Sequence, residues 1–132
     1  MEKIDYRFTI NVAVLDALTG GDDHIIDELS NEAITEMKSY LNARYDVDAI
    51  FNAVGDARDK TILMYCKDLA LYHIFSYRSY KIVPENRMKR YEKALQWLED
   101  VCKQKINPEG LTLNTKSFVK TGSNDKRINQ QQ

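Results

Sequence analysis

The sequence predicts an all-α protein, a small helical bundle of three long helices plus a short N-terminal helix, with an extended C-terminal arm. Three observations point there. Apolar residues recur at three- and four-residue intervals over three long stretches, the spacing of one helix face. The 132 residues include only 5 Gly and 2 Pro, too little turn punctuation for a many-stranded β fold. A hydrophobic share of 43% beside 30% charged residues is that of a globular chain with one modest core.

The elements follow in order. A short helix is expected over about 10–18, where Val12, Leu15 and Leu18 share a face, with Thr9 as its cap and Gly20-Gly21 as its stop. The first long helix spans about 24–45 on the stripe Ile26, Leu29, Ala33, Met37, Tyr40, Leu41 and Tyr45. Asp22 or Asp23 caps it, and Asp27 and Glu28 sit near the positive end of its dipole. The second runs over about 57–78 on Ile62, Cys66, Leu69, Ala70, His73 and Tyr77, with Asp56 as N-cap. The third begins at Pro84, a residue suited to the first helical position, and carries Met88, Tyr91, Leu95, Leu98 and Val101 or Cys102 on one face. It stops before the breaker Asn107-Pro108-Glu109-Gly110. At 1.5 Å per residue the longest helices reach roughly 33 Å, so each can bury its whole stripe against the other two. The loop from Asp46 to Gly55 has no clear period.

After Gly110 the text changes. Leu111-Thr112-Leu113 and Ser117-Phe118-Val119 read as short extended pieces, and 121–132 is polar. The chain thus divides into a helical domain, 1–113, and an arm, 114–132. The arm offers too little burial to offset its own ordering entropy, so a protein partner or neighbouring subunit is expected to hold it. Charge follows the same division: residues 1–30 carry seven acids and two bases, while 114–132 carry Asp125 against Lys116, Lys120, Lys126 and Arg127. In an assembly of identical copies, ends of opposite sign give head-to-tail complementarity.

Composition and motifs exclude several functions. A formal net charge of −1 lacks the basic excess of a nucleic-acid binder. No apolar stretch approaches the roughly 18 residues of a membrane span, and the protein is expected to stay in the cytosol. Cys66 and Cys102 have neither CxxC spacing nor clustered histidines, so both are expected in the core, with no disulfide, metal or cofactor. No phosphate-binding glycine loop is present, and Gly20-Gly21 precedes two aspartates that would repel phosphate. His73 lies on an apolar stripe and His24 at a helix start, neither with a catalytic partner in sequence, so no catalytic residue is assigned. His73 and Asp68 are five residues apart, which does not place them on one helix face. The basic run Arg78, Lys81, Arg87, Lys89, Arg90 and Lys93 is interleaved with Glu85 and Glu92, as on a solvated helix face. The tyrosines at 40, 45, 72, 77 and 91 fit the rim of the core.

The order Ile34, Ser39-Tyr40-Leu41, Arg44-Tyr45, then Cys66, Asp68, Ala70 and Tyr72, then Arg90-Tyr91 with Ala94, Leu95 and Leu98, resembles the Mu-like head-to-tail connector (neck) proteins of tailed bacteriophages. The resemblance covers about residues 8–113. The proline that often follows the Arg-Tyr pair in that family is replaced here by Asp46-Val47-Asp48. The resemblance implies a non-enzymatic virion protein, made in the host cytoplasm and placed in the neck. It would form a homo-oligomeric ring of twelvefold symmetry beneath the portal protein and above tail-side neck proteins, with double-stranded DNA passing through without sequence-specific contact. A stopper or tail-completion role in the same neck is the near alternative, and a cytosolic helical nucleic-acid-binding regulator the distant one. Arg44, Tyr45, Asp68, Tyr72, Arg90 and Tyr91 match the family pattern as structural residues. A buried Asp68 requires a cation, Arg44 or Arg90, and Asp68→Ala is expected to lower the melting temperature by several degrees. The arm residues Lys116, Phe118, Val119, Lys120, Lys126, Arg127 and Ile128 are the expected contacts to the portal or a neighbouring subunit.

Overall fold

A computed structural model describes residues 1–78 and 83–114. Among them are five α-helices: α1 (Val12–Thr19), α2 (Asp23–Leu41), α3 (Val47–Asn52), α4 (Lys60–Arg78) and α5 (Glu85–Cys102). Short 3-10 turns occupy Lys3–Tyr6 and Gly55–Ala57, and the β-pairing consists of an isolated antiparallel bridge between Tyr45 and Leu113. The all-α bundle expected from periodicity is present, with one short helix more than expected. The arm from Thr115 onward lies outside the described residues.

Local chemistry accounts for the ends, and corrects several assignments. Asn11, not Thr9, caps α1: its side chain accepts from the Ala13 N–H at 2.8 Å, whereas the Thr9 N–H is engaged with Tyr6 in the preceding turn. Gly20 closes α1 at φ 65°, a left-handed conformation that suits glycine. Asp22 caps α2 as expected. That helix ends at Leu41, short of 45, because the backbone around Tyr45 pairs with the returning chain: Asp46 N–H donates to Thr112 and Asn114 N–H to Arg44, each at 2.8 Å. The loop after it contains α3, capped by Asp46 through the Ala49 N–H. At six residues α3 is too short to show a period. Asp59, not Asp56, caps α4 through the Ile62 N–H at 2.9 Å, since Asp56 is used in the 3-10 turn. Pro84 precedes α5 and is not its first residue.

Helix α4 is central, packing against α1, α2 and α5. It buries Ile62, Tyr65, Cys66, Asp68, Leu69, Ala70, Leu71 and Ile74, more than one face. Opposite it lie Leu15 of α1, Ile26, Ala33, Met37 and Leu41 of α2, and Ala94, Leu98 and Val101 of α5. Each large aliphatic side chain so buried contributes roughly 1.5–3 kcal/mol. Tyr6 plugs the bundle from the N-terminal turn, its hydroxyl 2.6 Å from that of Ser30, both fully buried. α4 and α5 are antiparallel, for Phe75 meets Arg87, Tyr72 meets Tyr91 and Tyr65 meets Trp97.

Four expected core residues are exposed instead, among them Val12 in the first turn of α1, where Leu15 alone of its stripe is fully buried. Tyr77 lies one turn beyond the last buried residue of α4, and Met88 sits on the flank of α5. Cys102 is the last residue of α5, where Val101 takes the inward position; only Cys66 is a core cysteine. Burial pushes the Cys66 thiol up to about 12.

Candidate functional site

Asp68 and Tyr72 stand one helical turn apart on α4 and so face the same neighbour, α5. There Arg90 and Tyr91 meet them. The Arg90 Nη1 donates to Asp68 Oδ1 at 3.4 Å, which selects Arg90 over Arg44 as the cationic partner. Burial nevertheless pushes the Asp68 carboxyl above its ordinary value, against the pull of Arg90 and then Arg87. Arg87 lies on the same side: its Nη2 donates to the Thr9 carbonyl at 2.8 Å, and its guanidinium sits 5.9 Å from the Phe75 ring centroid. Burial, with Arg90 nearby, lowers the Arg87 pKa.

One turn along, Tyr72 and Tyr91 stack at 4.0 Å with ring planes 14° apart. The Tyr91 hydroxyl donates to Glu36 Oε2 at 3.3 Å, and His73 Nε2 lies 3.2 Å from Glu36 Oε1. Burial, followed by Glu36, pushes the Tyr91 phenol up to about 12. Glu36 of α2 therefore ties α4 and α5 together through one carboxylate. Sequence reasoning missed it; the one signal was an acid at the margin of the stripe, beside Met37. His73 takes Glu36 and Asp68 takes Arg90, so the two do not act as a pair.

Arg44 and Tyr45 are elsewhere, at the end of α2. Tyr45 is buried and bridged to Leu113, and the Asn114 side chain donates to the Asn42 carbonyl at 3.3 Å. The Arg44 guanidinium lies 6.0 Å from the Tyr45 ring centroid. These contacts fasten the chain to the body at Leu113 and Asn114. The expected contact residues Lys116, Phe118, Val119, Lys120, Lys126, Arg127 and Ile128 lie outside the described residues, as does Lys81.

The described cations of the basic stretch lie on an exposed face, as expected, apart from the half-buried Arg87. Arg78 donates to the carbonyls of Leu18 and Ala17 at the end of α1, and Lys89 pairs with Glu85 at 3.0 Å. Arg87 and Arg90 are committed as above, and Lys93 is exposed. On another side, a groove of about 430 Å³ opens between the N-terminal turn, α3 and α4. Ile34, Ile50, Phe51, Ile62 and Cys66 line it, and an Asp5–Arg58 ion pair at 3.0 Å stands at its edge. Among the described residues no helix is long and apolar enough to cross a membrane.

A protein-family model described as "Bacteriophage Mu, Gp36" matches residues 5–128, which include all five helices. Comparison with curated proteins and with solved structures gave no match.

Proposed function

The chain belongs to the bacteriophage Mu Gp36 family, a phage structural or morphogenetic protein, and from that premise we propose that it is a head-to-tail adaptor of the virion neck. In this role it acts without catalysis or cofactor, as one copy in a ring beneath the portal protein. The ring contacts tail-side neck proteins below and lets double-stranded DNA through its lumen.

The observation that carries the reading is the fastening of the chain at Asn114. An antiparallel bridge and three backbone or side-chain bonds at Asn42, Arg44 and Asp46 give the following residues a set starting point on a rigid helical body. Residues 115–132 carry four bases and one acid, with Phe118, Val119 and Ile128 as apolar anchors. A body that launches such a segment suits binding by an extended arm. A formal net charge of −1 favours this role over a nucleic-acid-binding regulator.

The test is the mass of the purified protein, alone and mixed with a candidate portal, followed by negative-stain imaging. A ring, formed alone or on the portal, is expected. A stable dimer indifferent to the portal refutes the adaptor role. Deleting 115–132 is expected to keep the helical signal and abolish docking, and undiminished docking by the truncated protein would exclude the arm.

A further inference from the structure

The groove beside α3 is apolar, open and acidic at its margin. Val54 is 78% exposed and Ile4 63% exposed, an unusual state for aliphatic side chains that flank a concave surface. Glu2, Asp5 and Asp59 lie around it, against the Met1 amino group and Arg58, which Asp5 already holds. The surface therefore fits a short apolar segment flanked by cations.

The chain contains one such segment beyond its described body: Lys116-Ser117-Phe118-Val119-Lys120. The bridge register fixes the direction in which the chain reaches Asn114. Thr112 pairs with Asp46, next to α3, while Asn114 pairs with Arg44 and Asn42. The chain thus leaves the body running back along the end of α2.

We propose that residues Lys116–Lys120 of one copy dock in the α3 groove of a neighbouring copy, with Phe118 and Val119 against its apolar lining and the two lysines toward its acidic margin. This rests on the ring-forming adaptor reading above and names the contact that joins one copy to the next. Such a contact is heterologous, arm to groove, and so repeats until a ring closes. Four extended residues span at most about 14 Å, which limits how far the neighbour's groove lies from Asn114.

The experiment uses two full-length variants, Val54→Asp in the groove and Phe118→Asp in the arm, each verified by circular dichroism and followed by sedimentation over rising concentration. Wild type is expected to gain mass with concentration. Each variant alone is expected to weaken association at least tenfold. An equimolar mixture pairs one intact arm with one intact groove, so it is expected to stop at 1:1 dimers. Variants that associate like wild type, a mixture that stays monomeric, or a wild type monomeric throughout would each overturn the docking. A Val54→Cys chain mixed with a Phe118→Cys chain, both in a Cys102→Ser background, is expected to form an intermolecular disulfide on oxidation. A doubly substituted chain that closes only on itself would place the segment in its own groove and overturn the proposal.

The same variants on the portal separate the two readings. If Phe118→Asp loses portal docking while Val54→Asp keeps both docking and self-association, the arm's seat is the portal and the groove proposal fails while the adaptor role stands. If wild type associates but never docks, the adaptor role fails.

Discussion

The buried pair Tyr6–Ser30 offers a test of what holds the N-terminal turn to the bundle. Its oxygens are 2.6 Å apart, both residues are fully buried, and 24 residues separate them. Tyr6→Phe removes one partner and leaves the Ser30 hydroxyl without its bond, at about 1–3 kcal/mol for an unsatisfied buried group. A serine inside a helix can turn its hydroxyl to the carbonyl four residues back, here Ile26, which places this variant near 1 kcal/mol. Ser30→Ala is the costlier change. The phenol oxygen is held by its ring, cannot re-aim, and is left buried, so about 2 kcal/mol is expected. For a chain of this length, 1 kcal/mol corresponds to roughly 3–5 °C in melting temperature. The double variant removes donor and acceptor together and is expected to be markedly less destabilised than the sum of the singles, a coupling of about 1 kcal/mol or more. Urea unfolding followed by circular dichroism and by Trp97 fluorescence measures all four corners of the cycle. Additive losses, within about 0.3 kcal/mol, would refute the hydrogen bond as the link.

Three further outcomes follow from the geometry. Burial raises the Asp68 carboxyl above 3.8, so its ionised form opposes folding at neutral pH, and that penalty fades as pH falls through the folded pKa. Asp68→Asn is therefore expected to melt higher than wild type near pH 7, with the gain shrinking toward pH 4, and Asp68→Ala, which also opens a void, to melt below the Asn variant; an Asn gain that grows on acidification contradicts this. At Asp5 the balance reverses: burial pushes its carboxyl up, but Arg58 and the Glu2 N–H pull it below 3.8. That stability is present above the ordinary carboxylate pKa and lost as pH falls through the lowered one, so Arg58→Ala is expected to lose up to about 1 kcal/mol at pH 7 and to converge on wild type in acid. A constant difference across pH excludes the ion pair as the cause. Cys102 is exposed and Cys66 buried with a raised pKa, so a thiol reagent is expected to add one label per native chain by mass spectrometry and two after unfolding; two labels at once would place Cys66 at the surface.

The helices themselves were legible in the residue order. Stripes such as Ile26, Ala33, Met37 and Leu41 report one buried face wherever they occur, and Asp22 and Gly20 mark helix ends by bonds to their immediate neighbours. The order of Arg44-Tyr45, Asp68, Tyr72 and Arg90-Tyr91 carried the phage resemblance, and the family match over 5–128 bears it out. All of these are local signals, read within one or two turns.

What depended on residues far apart in the chain was decided by the tertiary structure alone. Arg44 and Arg90 were equivalent partners for Asp68 on paper, until the antiparallel packing of α4 and α5 brought Arg90 to 3.4 Å. Glu36 became the link between three helices only because His73 and Tyr91 converge on it from 37 and 55 residues away. Helix α2 stops at Leu41 although its apolar period continues to Tyr45, since at the isolated bridge with Leu113 the Asp46 N–H turns to Thr112 instead of back along the helix. Periodicity and capping are properties of a few successive residues and are written in their order. The choice among chemically equal partners depends on which backbones approach each other, and only the packed bundle specifies that.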